Sequence, residues 1–281
     1  MIHVKDLSFS YTKTPFIQDM NFEVAKGEIV GFLGPSGAGK STLQKILTGL
    51  VTNYSGSAKL AGMECKKHPE RFYETIGVDF EYSTMYEKLT ARQNLRFFAS
   101  LYRNKKRPME PLLEEIGLLK DADKRISEYS KGMRSRINFV KALLHDPDIL
   151  FLDEPTSGLD PANSRIMKDM IIAEQARGKT ILLTTHNMAD AAELCDRVAF
   201  IVNGEIAALD TPRHLIMEKG ATKVHYTYFD GSEKSGSCSL DQLSEDRLFA
   251  QLIRNNQLTS IHSSEPNLND LFMEVTGRQL L

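Results

Sequence analysis

Long apolar runs are missing from this 281-residue sequence. None approaches the roughly 18 consecutive apolar residues that a membrane-crossing helix needs, so any work at a membrane has to go through a partner. The opening stretch MIHVKDLSFSY carries Lys5 and Asp6 where a secretory leader would need its apolar segment, and a cytoplasmic chain is expected. Cysteine is scarce. Cys65, Cys195 and Cys238 are scattered without metal-ligand spacing, the usage of a reducing compartment. An excess of either charge is also absent: 35 basic against 37 acidic residues give a net charge of -2. That balance removes any global electrostatic argument for nucleic acid, and no nucleic-acid partner is expected. The densest basic run, Arg103 to Arg107, has no interleaved aromatics and reads as a solvated loop between helices. There is no internal repeat.

What is present is ordinary globular composition, 41% hydrophobic and 26% charged, enough for one or two domains. HVKDLSFSY and FIQDMNFEVAKG alternate as strands, and EIVGFL is a buried-type strand leading into a glycine loop. Leu43, Ile46, Leu47 and Leu50 then recur at helical spacing, and a hairpin is expected around GSAKLAG. From about residue 87 to 145 the pattern is helical, with Ile137, Val140 and Leu144 on one face of the last helix. ILFLDEP, a helix from Ala162 to Arg177, and TILLTTH follow; strand, helix, strand favours a parallel sheet. Asn203-Gly204 is a two-residue hairpin signal. A boundary is expected near Lys219, dividing residues 1–218 from a smaller 219–281 unit. That unit has an alternating KVHYTY, an Asp230-Gly231 turn, a loop GSEKSGS, and a helix bearing Leu268, Leu271, Phe272 and Val275.

The segment Gly34-Pro35-Ser36-Gly37-Ala38-Gly39-Lys40-Ser41, followed by Thr42, fits the phosphate-loop pattern between a buried strand and a helix. Its backbone N–H groups can wrap phosphates and the helix start adds partial positive charge. Lys40 is expected to reach the β- and γ-phosphates and Ser41 to ligate Mg²⁺. Asp153 and Glu154 end an apolar strand; the first can hold Mg²⁺ and the second can polarise an attacking water. His186 follows a buried strand and falls at the carboxyl edge of the sheet, where ligands of open α/β sheets bind. YSKGMRSR, Tyr129 to Arg136, is a second turn that opens a helix, with Ser130 and Gly132 placed where a phosphate could sit. Each feature has a bland alternative: a glycine turn, solvated acids, a structural histidine, a helix cap.

In their order, SFSY, GPSGAGKS, the loop after TIGVDFE, YSKGM, ILFLDEP, SGLD and TTH make residues 1 to about 215 resemble the ATP-binding-cassette (ABC) transporter ATPases. The resemblance implies an α/β phosphate-loop NTPase core with a mixed sheet, an antiparallel β subdomain and an inserted helical subdomain. To these the chain adds a small C-terminal α+β extension. It implies ATP and Mg²⁺ as cofactors, with Tyr11 stacking on adenine, Asp160 in the loop that crosses between subunits, and His186 at the γ-phosphate. It also answers why a second phosphate-facing helix start exists. In such proteins two cassettes pack head to tail, so that Ser130 and Gly132 face the nucleotide of the partner. The partners implied are a second cassette, identical or different, and a separate transmembrane permease that would hold the chain at the cytoplasmic face of the membrane. YSKGM and the ending EPNLNDLFMEVTGR resemble the drug-export branch. Glu81 is a departure, standing where most relatives have glutamine. A carboxylate only accepts hydrogen bonds; Glu81 is a candidate Mg²⁺ ligand and nucleotide contact. The competing readings are a soluble ABC ATPase acting without a permease and a regulatory nucleotide-binding module without turnover.

Overall fold

The computed structural model describes residues 1–80, 85–103, 106–219, 223–264 and 267–276, without the side chains of residues 218, 219, 223, 264 and 274–276. The chain divides into two compact units between Leu209 and Asp210.

The first unit opens with β1 (Ile2–Phe9), β2 (Ile17–Val24), β3 (Ile29–Leu33) and α1 (Lys40–Leu47), followed by β4 (Ser55–Leu60), β5 (Met63–Glu64), α2 (Phe72–Thr75) and β6 (Ile76–Asp79). Helices α3 (Ala91–Ser100), α4 (Met109–Glu115) and α5 (Lys131–Leu143) form the expected insertion. The chain returns through β7 (Ile149–Asp153), α6 (Pro161–Ala176), β8 (Thr180–Thr185), α7 (Met188–Leu194), β9 (Arg197–Val202) and β10 (Glu205–Asp210).

Two sheets result. An antiparallel sheet has the order β2-β1-β4-β5, and a second has the order β10-β9-β3-β8-β7-β6. Every residue of β3 and β8 is buried, the signature of strands covered on both faces, and β3 pairs parallel with both β8 and β9. Asn203 and Gly204, both at positive φ, turn β9 back into β10 as their sequence required, which makes this sheet mixed. Val4, Phe22 and Leu60 of the antiparallel sheet share one core with Phe32, Phe151 and Leu182 of the mixed sheet and Leu43, Ile46 and Leu47 of α1. The predicted face of α5 is buried at Ile137, Val140 and beyond its end at Leu144. At the head of α3, Thr90 accepts from the Gln93 N–H while the Gln93 side chain accepts from the Thr90 N–H, a reciprocal cap.

The basic run is not wholly solvated. Arg107 pairs with Glu174 of α6, whose side chain is only 2% exposed; a carboxylate removed from water that far requires a cation.

The second unit contains α8 (Pro212–Lys219), β11 (Lys223–Phe229), β12 (Glu233–Ser239), α9 (Arg247–Arg254), β13 (Leu258–Ser264) and α10 (Leu268–Thr276). Its antiparallel sheet has the order β12-β11-β13, and Tyr226 packs with Phe249 and Leu252 of α9. Residues 233–237 of the expected loop GSEKSGS belong instead to the strand β12, in register with β11 across the Asp230-Gly231 turn. Its low intrinsic preference is overridden by a well-formed partner strand. Leu268, Leu271 and Phe272 are buried as their spacing predicts; the side chain of Val275 lies outside the described residues.

Candidate nucleotide site

The glycine loop follows the buried end of β3 directly. Gly37 and Gly39 sit at φ 79° and 112°, where a side chain would strain the backbone. A Cβ at Gly34 would lie 2.3 Å from the Ile201 carbonyl oxygen, so the loop can leave the sheet at this height only with glycine there. No side chain caps the first turn of α1, which leaves its N–H groups and the positive end of the helix to a ligand. Pro35 is half-buried, Ala38 is buried, and Ser36 and Ser41 are exposed. Lys40 Nζ donates to the carbonyls of Gly34 at 2.5 Å and Pro35 at 3.1 Å. Burial lowers the Lys40 pKa, against the opposing pull of Glu154 and Asp153.

Asp153 ends β7, which is separated from β3 by β8, and Glu154 follows it directly. Asp153 accepts from the Thr184 hydroxyl. Burial raises its pKa, and the Thr184 bond opposes that rise. Glu154 takes φ 52° and donates its N–H to the Thr184 carbonyl at 2.9 Å. Its carboxylate accepts from the Thr185 hydroxyl at 3.1 Å and meets His186 Nδ1 at 2.8 Å. Lys40, Asp153, Glu154 and His186 are thus brought together by the start of α1 and the ends of β7 and β8. Tyr11, 57% accessible, meets the phosphate-loop segment from the exposed side, with its hydroxyl 3.0 Å from the Thr42 hydroxyl and its ring edge-on to Phe9 and Phe16.

Ser130, Gly132 and Asp160 form a second group. Ser130 caps α5 by accepting from the Met133 N–H at 3.2 Å, and Asp160 caps α6 by accepting from the Asn163 N–H at 3.0 Å. That bond and a second from the Asn163 side chain hold the Asp160 carboxyl below its usual range. A Cβ on Gly132 would touch Asn163 Nδ2 at 3.5 Å, so the two capped helix starts are neighbours. Glu81 lies outside the described residues.

A cavity of about 330 Å³ brings Asp153 and Glu154 together with Lys131, Arg134 and Ser135 of α5. Asp79, Phe80 and Asn138 also line it. The sequence offered no signal for that last trio, because a single aspartate and a single asparagine 59 residues apart form no local pattern.

The profile of the ABC transporter family matches residues 17–157, from β2 through Asp153 and Glu154 to Ser157. The chain belongs to the ABC transporter family. It is one of the family's ATPase subunits. This ABC ATPase is 48% identical over 284 residues to a fluoroquinolones export ATP-binding protein of Mycobacterium tuberculosis, covering 100% of this chain and 94% of that one. It is 35% identical to the Nod factor export ATP-binding protein I of Rhizobium meliloti, covering 99% and 89% of the two chains. A solved ATP-binding subunit of an ABC transporter superposes with a TM-score of 0.73 at 30% identity, over 88% of this chain and 98% of that one. The phosphate loop, the insertion and the carboxylate pair of the ABC ATPase fall inside the matched family segment, whereas Tyr11, Asp160 and His186 fall outside it.

Proposed function

We propose that this chain binds and hydrolyses Mg-ATP within a head-to-tail pair of cassettes and drives a separate membrane permease in export. The observation that carries the reading is Glu154. Its carboxylate is held by Thr185 and His186 at the mouth of a cavity, within the electrostatic reach of Lys40. In this reading the glycine loop and the α1 start cradle the phosphates, and Lys40 exchanges its carbonyl partners for β- and γ-phosphate oxygens. Glu154 takes the proton of the attacking water. With Nδ1 committed to Glu154, His186 reaches the γ-phosphate through Nε2. Tyr11 supports the adenine face, worth about 0.5–1.5 kcal/mol beyond area burial.

Ser41 and Asp153 present hard oxygen donors that fit Mg²⁺. Among the described residues no cluster of three His, Cys, Asp or Glu could hold a metal alone. That is the donor set of an ion held by one or two protein oxygens plus substrate phosphates. The ion would neutralise phosphate charge. Glu81 is proposed as a further oxygen ligand in the closed pair, and Glu81→Gln should then raise the Mg²⁺ concentration needed for turnover.

Ser130 and Gly132, with Asp160 beside them, face the nucleotide of the partner. One complete motif set supports a homodimer. No helix among the described residues is long and apolar enough to cross a membrane, so the chain would sit peripherally on the cytoplasmic face through its permease. Two relatives named for export favour that direction, and the 48% identical one points to drug-sized cargo selected in the permease. The test is Mg-dependent phosphate release by the purified chain. Glu154→Gln should retain ATP binding and slow turnover about 10²- to 10⁴-fold. Wild-type rates in that variant would remove Glu154 from the chemistry.

A further inference from the structure

Asp79 ends β6 with 6% of its surface exposed, and Asn138 of α5 is 2% exposed. Asn138 Nδ2 donates to Asp79 Oδ1 and, at 3.4 Å, to the carbonyl of Phe80. Burial pushes the Asp79 carboxyl up, and Lys141, one turn along α5, pulls it back. Asn138 Oδ1 is buried without a hydrogen-bond partner among the described residues. Both side chains line the cavity on which Glu154 opens.

As a fastener this arrangement is redundant and costly. α5 already lies against β6 so closely that a Cβ at Gly77 would be 2.2 Å from the Ala142 carbonyl oxygen. His145 Nε2, just past the helix, is also 2.8 Å from the Ile76 carbonyl oxygen. A desolvated carboxylate whose amide partner keeps an unmatched carbonyl adds little stability beyond its attraction to Lys141. Its location is the informative feature. Asn138 sits eight residues, about 12 Å of helix, after Ser130 at the capped start of α5. On the other side it bonds to Asp79 at the β6 end and to the Phe80 carbonyl.

We infer that Asn138 and Asp79 are positioning residues for the hydrolysis proposed above: their bond fixes the angle at which α5 presents Ser130 to the nucleotide of the partner and holds the β6 end beside Glu154. The inference rests on that reading of the site. The phosphate loop lies on other elements, so loss of the bond should affect the assembled transition state and leave the first capture of ATP alone.

The experiment uses the full chain. Wild type, Glu154→Gln, Asn138→Ala, Asp79→Ala, the exchanged pair D79N/N138D and the apolar pair D79L/N138L are compared for ATP affinity, by equilibrium binding of a fluorescent ATP analogue, and for kcat. Misplacing a reacting group by about 1 Å costs up to about 100-fold, so each alanine variant should lose roughly 10- to 100-fold in kcat with affinity retained. D79N/N138D restores an amide–carboxylate bond and should recover most of the loss. D79L/N138L takes the Asp79 carboxylate away from the desolvated Lys141 and should lose some thermal stability; assayed where it is fully folded, it should stay slow. Wild-type kcat in the apolar pair or in either alanine variant, or an exchanged pair that folds and remains as slow as the alanines, overturns the inference. If wild type itself releases no phosphate, the proposed function fails with it; turnover by wild type with no effect of Asn138→Ala defeats the positioning role alone.

Discussion

Glu154 holds φ 52°, a region that a glutamate enters at a cost of about 1–3 kcal/mol. The strain has a visible result, because it turns the carboxylate back toward Thr185 and His186 instead of letting it leave with the chain. Replacing it with glycine should separate the two effects: Glu154→Gly is expected to be at least as stable as wild type in thermal unfolding and to have lost turnover. A stability loss would mean that the Thr185 and His186 contacts outweigh the backbone strain. Gly34 presents the opposite case. A methyl group there would meet the Ile201 carbonyl at 2.3 Å, and Gly34→Ala is expected to cost about 1–3 kcal/mol while weakening ATP binding, read by denaturant titration and equilibrium binding. The phosphate loop and the Asp153-Glu154 pair were legible in the sequence because each is a contiguous string whose spacing is itself the chemistry. Asp79 and Asn138 were not, since their meeting depends on how α5 lies across β6.

At the scale of elements, the β4–β5 hairpin is tied by one carboxylate. Glu64 accepts from the hydroxyls of Tyr54 and Ser57, both at 2.7 Å, and from the Ala58 N–H at 3.1 Å. Burial alone would raise its pKa, yet these three bonds outweigh it and the net shift is downward. A carboxyl depressed in the folded state contributes stability above its unfolded pKa, about 4.3, and loses it as pH falls through the folded value. Glu64→Gln should therefore be less stable than wild type at neutral pH, with the gap narrowing in denaturant titrations carried below about pH 4. A gap that stays constant with pH would assign the effect to packing. Strand β12 shows where element reading fails. EKSGSCS has little intrinsic claim to be a strand, and only β11 beside it supplies the missing preference. The hairpin at Asn203-Gly204 was readable for the converse reason: two adjacent residues suited to positive φ specify a turn without help from the rest of the molecule.

For the whole molecule, the boundary after Leu209 leaves every proposed nucleotide contact in the first unit. A chain ended after Asp210 is expected to bind ATP with unchanged affinity; a folded fragment without binding would show that the second unit completes the site. The order of motifs made the family legible, and the phosphate loop, ILFLDEP and TTH, each following a strand, made the parallel arrangement of the central strands legible. Long-range ion pairs such as Arg107 with Glu174 stayed hidden, since a lone charge in a loop carries no mark of its eventual burial. The central claim is that the helix start at Ser130 serves a nucleotide held by another copy. Mixing two inactive full-length variants, Lys40→Ala and Ser130→Arg, tests it most directly. In a head-to-tail pair one of the two shared sites would combine an intact phosphate loop from the Ser130→Arg chain with an intact α5 start from the Lys40→Ala chain. ATPase activity absent from either variant alone should therefore appear on mixing, and a mixture as inactive as its components, under conditions where mixed dimers are demonstrated, would contradict the account.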